Sequence, residues 1–403
     1  MRRSRQALMA FALLIALAAI VAGCGSSSGG SSSSTESTES ASSETTASES
    51  SGGGSEGQEA AQEFVAENSN LEKLEFPEPP DEPYDPGTGK IGIVICSTLG
   101  SGCVEMGKEA VKAAKAAGWE PTEPLNGEFS PNVQSGLIQK LVAEKVDAIE
   151  LISIQPETVA NAIHAAIEAG IPISDVYAAG DKVFPKWGGP LVQVTSDGVE
   201  QGEFAGTYIA ANANSEGKTR VDVVGNDPAF AILLERTKGI ENALGKYCPE
   251  CELHITHLSG EELAKPGPPA FSALLSSNPP GSLEWVLGGP TDPFGQLMLK
   301  TAEQRGREDI KMVGLDTAPE VIENIKAGGL TQADIYSSFR YAAWAGVEQV
   351  IRQKAGLKPW KAYDLPPAYV TAENVAGPVS QLPLSYAPPS FDYEALFKQL
   401  WGK

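Results

Sequence analysis

From residue 90 to about residue 355 the chain repeats one pattern: a short apolar, β-branched run, then a segment whose apolar residues recur at helical spacing. Runs of that kind are buried strands, and helices between them are the crossovers that parallel strands require. The pattern predicts an α/β fold with doubly wound parallel sheets and right-handed connections. Residues 90–119 state it most compactly. Ile91, Ile93, Val94 and Ile95 form the first strand; Ser97, Thr98, Gly100, Ser101 and Gly102 form a loop of small residues; residues 104–117 form a helix that Gly118 ends. In such sheets ligands bind beyond the carboxyl ends of the strands, so the loop 97–103 is the first place to look for a site. The glycines at 100 and 102 lack the third Gly of a dinucleotide-binding turn.

Further strands are expected at 148–152, 171–176, 191–195, 221–225, 252–258, 285–287, 311–314 and 330–336. Helices are expected at 130–143, in a segment opening at Gln155-Pro156-Glu157 and stopping at Gly170, and at 199–211, 229–246, 270–276, 294–305, 320–327 and 341–355. Residues 177–190 read as irregular.

Ahead of this region stand three different stretches. Arg2, Arg3 and Arg5 precede the uncharged apolar run 7–23, an export signal by its pattern, and residues 1–23 are read as that signal. The run ends Val21-Ala22-Gly23-Cys24, which resembles the bacterial lipobox, with Val21 where Leu is usual; it implies cleavage before Cys24 and lipidation of its sulfur. Residues 25–57 are Ser, Gly, Thr, Glu and two Ala, too polar to bury a core, so 24–57 is expected to be a lipidated Cys followed by a disordered tether. Residues 58–87 form an acidic lead-in, with a weak helix at 58–74 and an extended part carrying Pro at 77, 79, 80, 83 and 86. The net charge of −22 is spread over both parts: residues 25–88 hold fourteen acids against the single Lys73. An acidic protein is a poor partner for nucleic acid.

Ordered across the folded region, several short stretches carry a family likeness: 93–99 (IVICSTL), 157–162 (ETVANA), 170–173 (GIPI), 195–197 (TSD) with 202–210 (GEFAGTYIA), 235–239 (ERTKG) and 313–316 (VGLD). Residues 90–375 resemble the type I periplasmic solute-binding proteins, in the sugar-binding branch that includes the bacterial ribose-binding protein. The resemblance implies two lobes joined by three crossings, with a ligand enclosed at the hinge. The first lobe would be 88–194 plus 337–363, and the second 195–336 plus 364–403, the latter including a C-terminal tail. It implies ligand contacts from Ser196, Arg236, Asp292 and Asp316, and a site to which Ser97, Thr98, Ser101, Ser153, Tyr177, Asp227, Phe230, Thr291 and Ser337 also belong. Carboxylates accept from paired hydroxyls and Arg donates a planar fork, which is what a hydroxyl-rich ligand needs. Helix capping is the competing role for Asp292, next to Pro293, and for Asp316, three residues before Pro319.

The chain departs from the family where substrate is chosen. The first loop has no aromatic, Tyr177-Ala178 replaces an Asp-Arg pair, Thr291 replaces Asn, and Ser337 replaces Gln. A larger or less polar ligand than a monosaccharide is therefore compatible with the site. Tyr177, Phe184, Trp187, Phe230, Phe294 and Tyr336 are its candidate aromatic walls, Tyr177 foremost because it stands at a strand end.

Besides Cys24 there are Cys96, Cys103, Cys248 and Cys251. Export implies an oxidising compartment, and of the three connectivities Cys96–Cys103 and Cys248–Cys251 are favoured because each closes a short local loop. The Cys248-x-x-Cys251 spacing follows a helix rather than opening one, against a redox role, and a four-Cys zinc site does not suit this setting. His164, His254 and His257 form no metal or catalytic cluster, and neither a Walker loop nor a Gly-x-Ser-x-Gly elbow is present.

The expected protein is thus an extracytoplasmic lipoprotein, monomeric and without cofactor, metal or enzymatic activity. It would capture a small, sugar-like molecule by hinge closure and deliver it to the separate permease of an ABC importer. It would be anchored on the outer face of the cytoplasmic membrane. A sensor subunit of the same fold, presenting ligand occupancy to a membrane receptor, is the alternative. A transcription regulator is disfavoured because signal and tether occupy the place of its helix-turn-helix.

Overall fold

The computed structural model describes residues 53–178, 191–214, 218–227, 230–259, 262, 265, 267–289, 291–375 and 392–403. All of them lie in one unit of the chain, Ser50–Lys403. The calls on Cys24, Phe184 and Trp187 lie outside the described residues.

Two sheets organise this unit. In the first, β1 (Lys90–Ile95), β4 (Ala148–Ile152), β5 (Ile173–Val176) and β6 (Leu191–Val194) run parallel in that order, with the short β2 (Glu120–Pro121) and β3 (Leu125–Asn126) on the other edge of β1. In the second, the order is β12 (Tyr369–Thr371), β11 (Thr331–Ile335), β10 (Lys311–Leu315), β9 (Trp285–Gly288), β7 (Arg220–Val224), β8 (Glu252–Thr256), and only β12 is antiparallel.

Period-2 alternation along β1 sorts its side chains between two cores. Ile91, Ile93 and Ile95 pack with α2 (Ser101–Ala117) and α10 (Phe339–Lys354), while Val94 packs with α3 (Pro131–Ala143) and α4 (Ala160–Glu168) on the opposite face. The buried face of α2, Cys103, Met106, Ala110, Ala113, Ala114 and Ala117, keeps helical spacing. In the second sheet Val221, Val223, Leu287 and Leu315 face α5 (Gly198–Ala211) and α6 (Ala231–Tyr247), whereas Val286 and Met312 face α7 (Pro269–Ser277) and α8 (Asp292–Gln304); α9 (Pro319–Lys326) connects β10 to β11.

The chain passes between the sheets at residues 195–197, at 336–338, and again near Tyr363, which bridges to Thr195 before β12. The N-terminal segment crosses as well. Its helix α1 (Gly53–Glu67) packs on α5, with Phe64 edge-on to Phe204 at 5.1 Å. Further on, Phe76 lies against Tyr341, and Trp119 Nε1 donates to Pro86 O at 2.9 Å.

Two boundaries differ from expectation. The helix expected at 58–74 begins earlier, inside the stretch read as tether, and stops at Glu67, with a separate turn at Leu71–Lys73. Packing of Phe64 and Ala61 on α5 supplies what the polar sequence lacks. The C-terminal helix α11 (Tyr393–Leu400), grouped by sequence with the second lobe, instead packs on the first-sheet layer. There Tyr393, Phe397 and Trp401 surround Trp344 of α10. The Cys96–Cys103 and Cys248–Cys251 disulfides are both formed.

Candidate functional site

The carboxyl ends of β1, β4 and β5 face those of β9 and β10 across a cavity of about 90 Å³, room for several waters or a small organic molecule. Ser101, Ser153, Tyr177, Phe230, Arg236, Thr291, Asp292 and Asp316 line it. Three strand ends here carry non-Gly residues at positive φ: Ser153 (52°), Tyr177 (55°) and Asp316 (108°). Such backbone is sparsely populated and concentrates at functional sites.

Arg236 is positioned by an unusually close helix pair. A Cβ on Gly202 of α5 would fall 1.9 Å from Arg236 O, and one on Gly239 of α6 would fall 2.0 Å from Val199 O. Only glycine at both points lets the helices touch along their backbones. That brings Gln201 of α5 under the guanidinium. Arg236 Nε and Nη2 donate to Gln201 Oε1 at 3.0 and 2.8 Å, and Nη2 and Nη1 donate to Asp316 Oδ1 and Oδ2 at 2.6 and 3.2 Å. Ser337 Oγ donates to Asp316 Oδ1 at 3.3 Å, and Gln201 Nε2 donates to Ser337 Oγ at 3.0 Å. Gln201, Arg236, Asp316 and Ser337 thus close a ring. The Thr291 hydroxyl donates to Asp316 Oδ2 at 2.5 Å from the cavity side.

Neither carboxylate caps a helix. Asp292 accepts from Leu315 N at 2.9 Å and from Ala318 N, so it pins the end of β10 to the start of α8. Asp334 lies behind it and accepts from Thr317 N at 2.9 Å. A Cβ on Gly314 would meet Asp334 Oδ2 at 2.4 Å and Asp292 Oδ1 at 2.7 Å, so both acids close on a residue that must be glycine. Burial, reinforced by Asp334 and Asp316, holds Asp292 well above the usual carboxylate range; burial also pushes Asp334 up to about 7.

The opposite wall is apolar. It consists of the Cys96–Cys103 disulfide, Met106, Phe129 and Phe339, with Ser101, Ser153 and Gln155 between them. Phe129 reaches across to Phe230 and Phe294, with ring centroids at 6.3 and 5.9 Å. Tyr177 lies edge-on to Phe339 at 4.7 Å. Its hydroxyl is within 3.3 Å of Ser196 Oγ and accepts from Ser338 N at 2.9 Å, which ties together two of the passages between the sheets. Tyr177 therefore touches two of the passages between the sheets as well as lining the cavity.

Some expected contacts lie elsewhere. Ser97 is buried and its Oγ accepts from Leu99 N at 3.1 Å; Thr98 is turned to solvent, its N–H donating to Asn126 Oδ1 at 2.9 Å. The disulfide draws the loop back on itself, and of Ser97, Thr98 and Ser101 it leaves Ser101 on the cavity, beside Gly102 and Cys103. Ser196 and Ser337 stand behind the lining, in contact with Tyr177 and Asp316. Asp227 and Tyr336 are buried outside it. Residue reading missed Gln201, Phe129 and Phe339.

The model of the periplasmic binding protein domain family matches residues 91–358. Among solved structures, an ABC transporter solute-binding protein from Mycobacterium smegmatis with bound glycerol is 19% identical, TM-score 0.65, covering 75% of this chain and 100% of its own. One from Actinobacillus succinogenes with bound D-allose is 21% identical, TM-score 0.61, covering 71% and 99%. A carbohydrate transporter from Acidothermus cellulolyticus in complex with myo-inositol is 22% identical, TM-score 0.58, covering 72% and 96%. At these identities the likeness is one of fold.

Proposed function

The chain belongs to the periplasmic binding protein domain family, and on that premise we propose that it captures a small, sugar-like solute in the cleft between its sheets and hands it to an ABC importer. The observation that carries this reading is the buried ring of Gln201, Arg236, Asp316 and Ser337, whose Asp316 is reached from the cavity through Thr291. A ligand hydroxyl that displaces Thr291 from Asp316 gains a charge-assisted bond. Bridging from there to Ser101 and Ser153, it favours the closed arrangement of the two walls by contacts that the open one lacks. No bond is made or broken.

The glycerol-, allose- and inositol-bound relatives support a polyol or sugar as ligand. Attachment belongs to the same proposal. No described helix is long and apolar enough to cross a membrane, and a lipid on Cys24 would hold the domain at the outer face of the cytoplasmic membrane. The chain would act as a monomer beside a separate permease. Metabolic labelling with a fatty-acid analogue should mark the wild type and spare Cys24→Ser; equal labelling would end the lipidation reading. For capture itself, a thermal-shift screen against sugars, polyols, nucleosides and aromatic acids should find a sugar or polyol that raises the melting temperature. A screen in which none does would contradict the proposal.

A further inference from the structure

The two sides of the cavity make opposite demands, and a ligand must meet both. Resting on the reading of this cleft as a solute site, we infer that its ligand is a neutral molecule with a hydrocarbon body, aromatic or alicyclic, and its hydroxyls gathered at one end.

Charge comes first. Among the described lining residues the only ions are Arg236, Asp316 and Asp292, and all stand on the second-sheet side. Arg236 and Asp316 neutralise each other in a two-pronged pair. Both Asp292 oxygens accept from backbone N–H groups, and burial pushes its carboxyl well above the usual carboxylate range. A carboxylate or ammonium on the ligand would find no opposite charge left over, and burying it so is costly.

Hydroxyl placement comes next. A hexose carries hydroxyls around its whole rim, and each one buried without a partner costs about 1–3 kcal/mol. Against the second-sheet side Thr291, Asp316 and Arg236 can satisfy such groups. Against the other side a rim would meet mainly disulfide sulfur, Met106, Phe129 and Phe339, with Ser101, Ser153 and Gln155 as the polar side chains between them. The arrangement of Phe129 is the direct sign. It stands at φ 51°, a strained conformation for an aromatic, and from there it spans the cleft to Phe230 and Phe294. Phe129 packs on Phe230 and Phe294 from the opposite side, and the three rings line the cavity with apolar surface in place of hydrogen-bond partners. The ligand's hydrocarbon body lies against these rings, and its hydroxyls reach Thr291 and Asp316.

Calorimetric titration of the full-length mature protein with matched probes tests this. Phenyl β-D-glucoside is compared with methyl β-D-glucoside, and 1-phenyl-1,2-ethanediol with glycerol. The phenyl member of each pair should bind at least about tenfold tighter, the return expected from burying a ring. Phe129→Ala should narrow that ratio to below about threefold, and Phe230→Ala, on the other side of the cleft, should do the same if the first variant folds poorly. Methyl and phenyl probes that bind alike, or phenyl probes that are excluded while glycerol or the methyl glucoside binds, overturn this inference and leave solute capture standing. No binding by either pair overturns this inference, and solute capture falls with it only if the thermal-shift screen also finds no sugar or polyol that raises the melting temperature.

Discussion

The two walls of one cleft are built on different principles. The second-sheet wall is polar: Arg236 and Asp316 are almost wholly buried, and every bond between them is matched by one to Gln201, Ser337 or Thr291. The first-sheet wall is apolar, and a covalent bond, Cys96–Cys103, holds its loop in place. A polar network is specific but fails when one member is removed, because its partners are left buried and unsatisfied. An apolar wall shaped by a disulfide tolerates the loss of one contact and depends instead on the loop being kept short. If this cleft holds a solute as proposed, affinity and shape would be assigned to opposite sides of it.

Mutating each wall should separate the two. The largest effect is expected at Arg236→Ala. It leaves Asp316 charged and buried without its cation, and removing one partner of a buried pair destabilises by roughly 3–5 kcal/mol. Denaturant unfolding measures it, and a loss under about 1 kcal/mol would mean that the ring is not what holds this wall together. A smaller effect is expected from opening the other wall. Cys96→Ser with Cys103→Ser should cost about 2–3 kcal/mol through loop entropy, given a sequence separation of 7. Refolded under reducing conditions, wild type should match the double variant in the contribution of this loop; a variant as stable as oxidised wild type would refute the claim.

The smallest effect is electrostatic and confined to the polar wall. Asp334 has a folded pKa of about 7 against an ordinary 3.8, so its protonated form is favoured by folding. Its contribution is present at low pH and lost as pH rises from about 4 to 7, since there the unfolded chain releases the proton first. Asp334→Asn removes that loss. Relative to wild type, its melting temperature should be higher at pH 8 than at pH 5 by a few degrees. A difference independent of pH would show that Asp334 does not carry the proton. Burial pushes Glu150 and Asp175 of the first sheet well above the usual carboxylate range as well, so the effect of Asp334 is read as the difference between Asp334→Asn and wild type.

The same contrast governs what could be read from sequence. The strand–helix alternation and the two short-range disulfides are local signals, whereas Arg236 and Asp316 of the polar wall were legible through the resemblance to the family. Gln201 was invisible because its role depends on Gly202 and Gly239 letting α5 and α6 meet, a contact between elements rather than a pattern within one. Phe129 lies in an irregular stretch and reaches the cleft only because β3 pairs with β1 and turns the chain at Glu128 and Phe129. Phe339 opens a helix far along the chain and meets Tyr177 only after the second passage between the sheets. The Ser97–Thr98 reading went astray for a related reason: a small-residue loop after a strand signals a site, but the disulfide within it decides which residues face inward.

The central claim is that ligand is held by the polar wall through Asp316, and titration calorimetry of Asp316→Asn with a sugar or polyol identified by thermal shift tests it most directly. The substitution keeps the side chain's size but leaves it neutral, with an amide nitrogen in place of one carboxylate oxygen, so it cannot accept from Arg236, Ser337, Thr291 and a ligand hydroxyl as Asp316 does. Affinity should fall by about a hundredfold or more, at 1.4 kcal/mol per decade. An affinity within about twofold of wild type, in a variant that still melts cooperatively, would contradict the account.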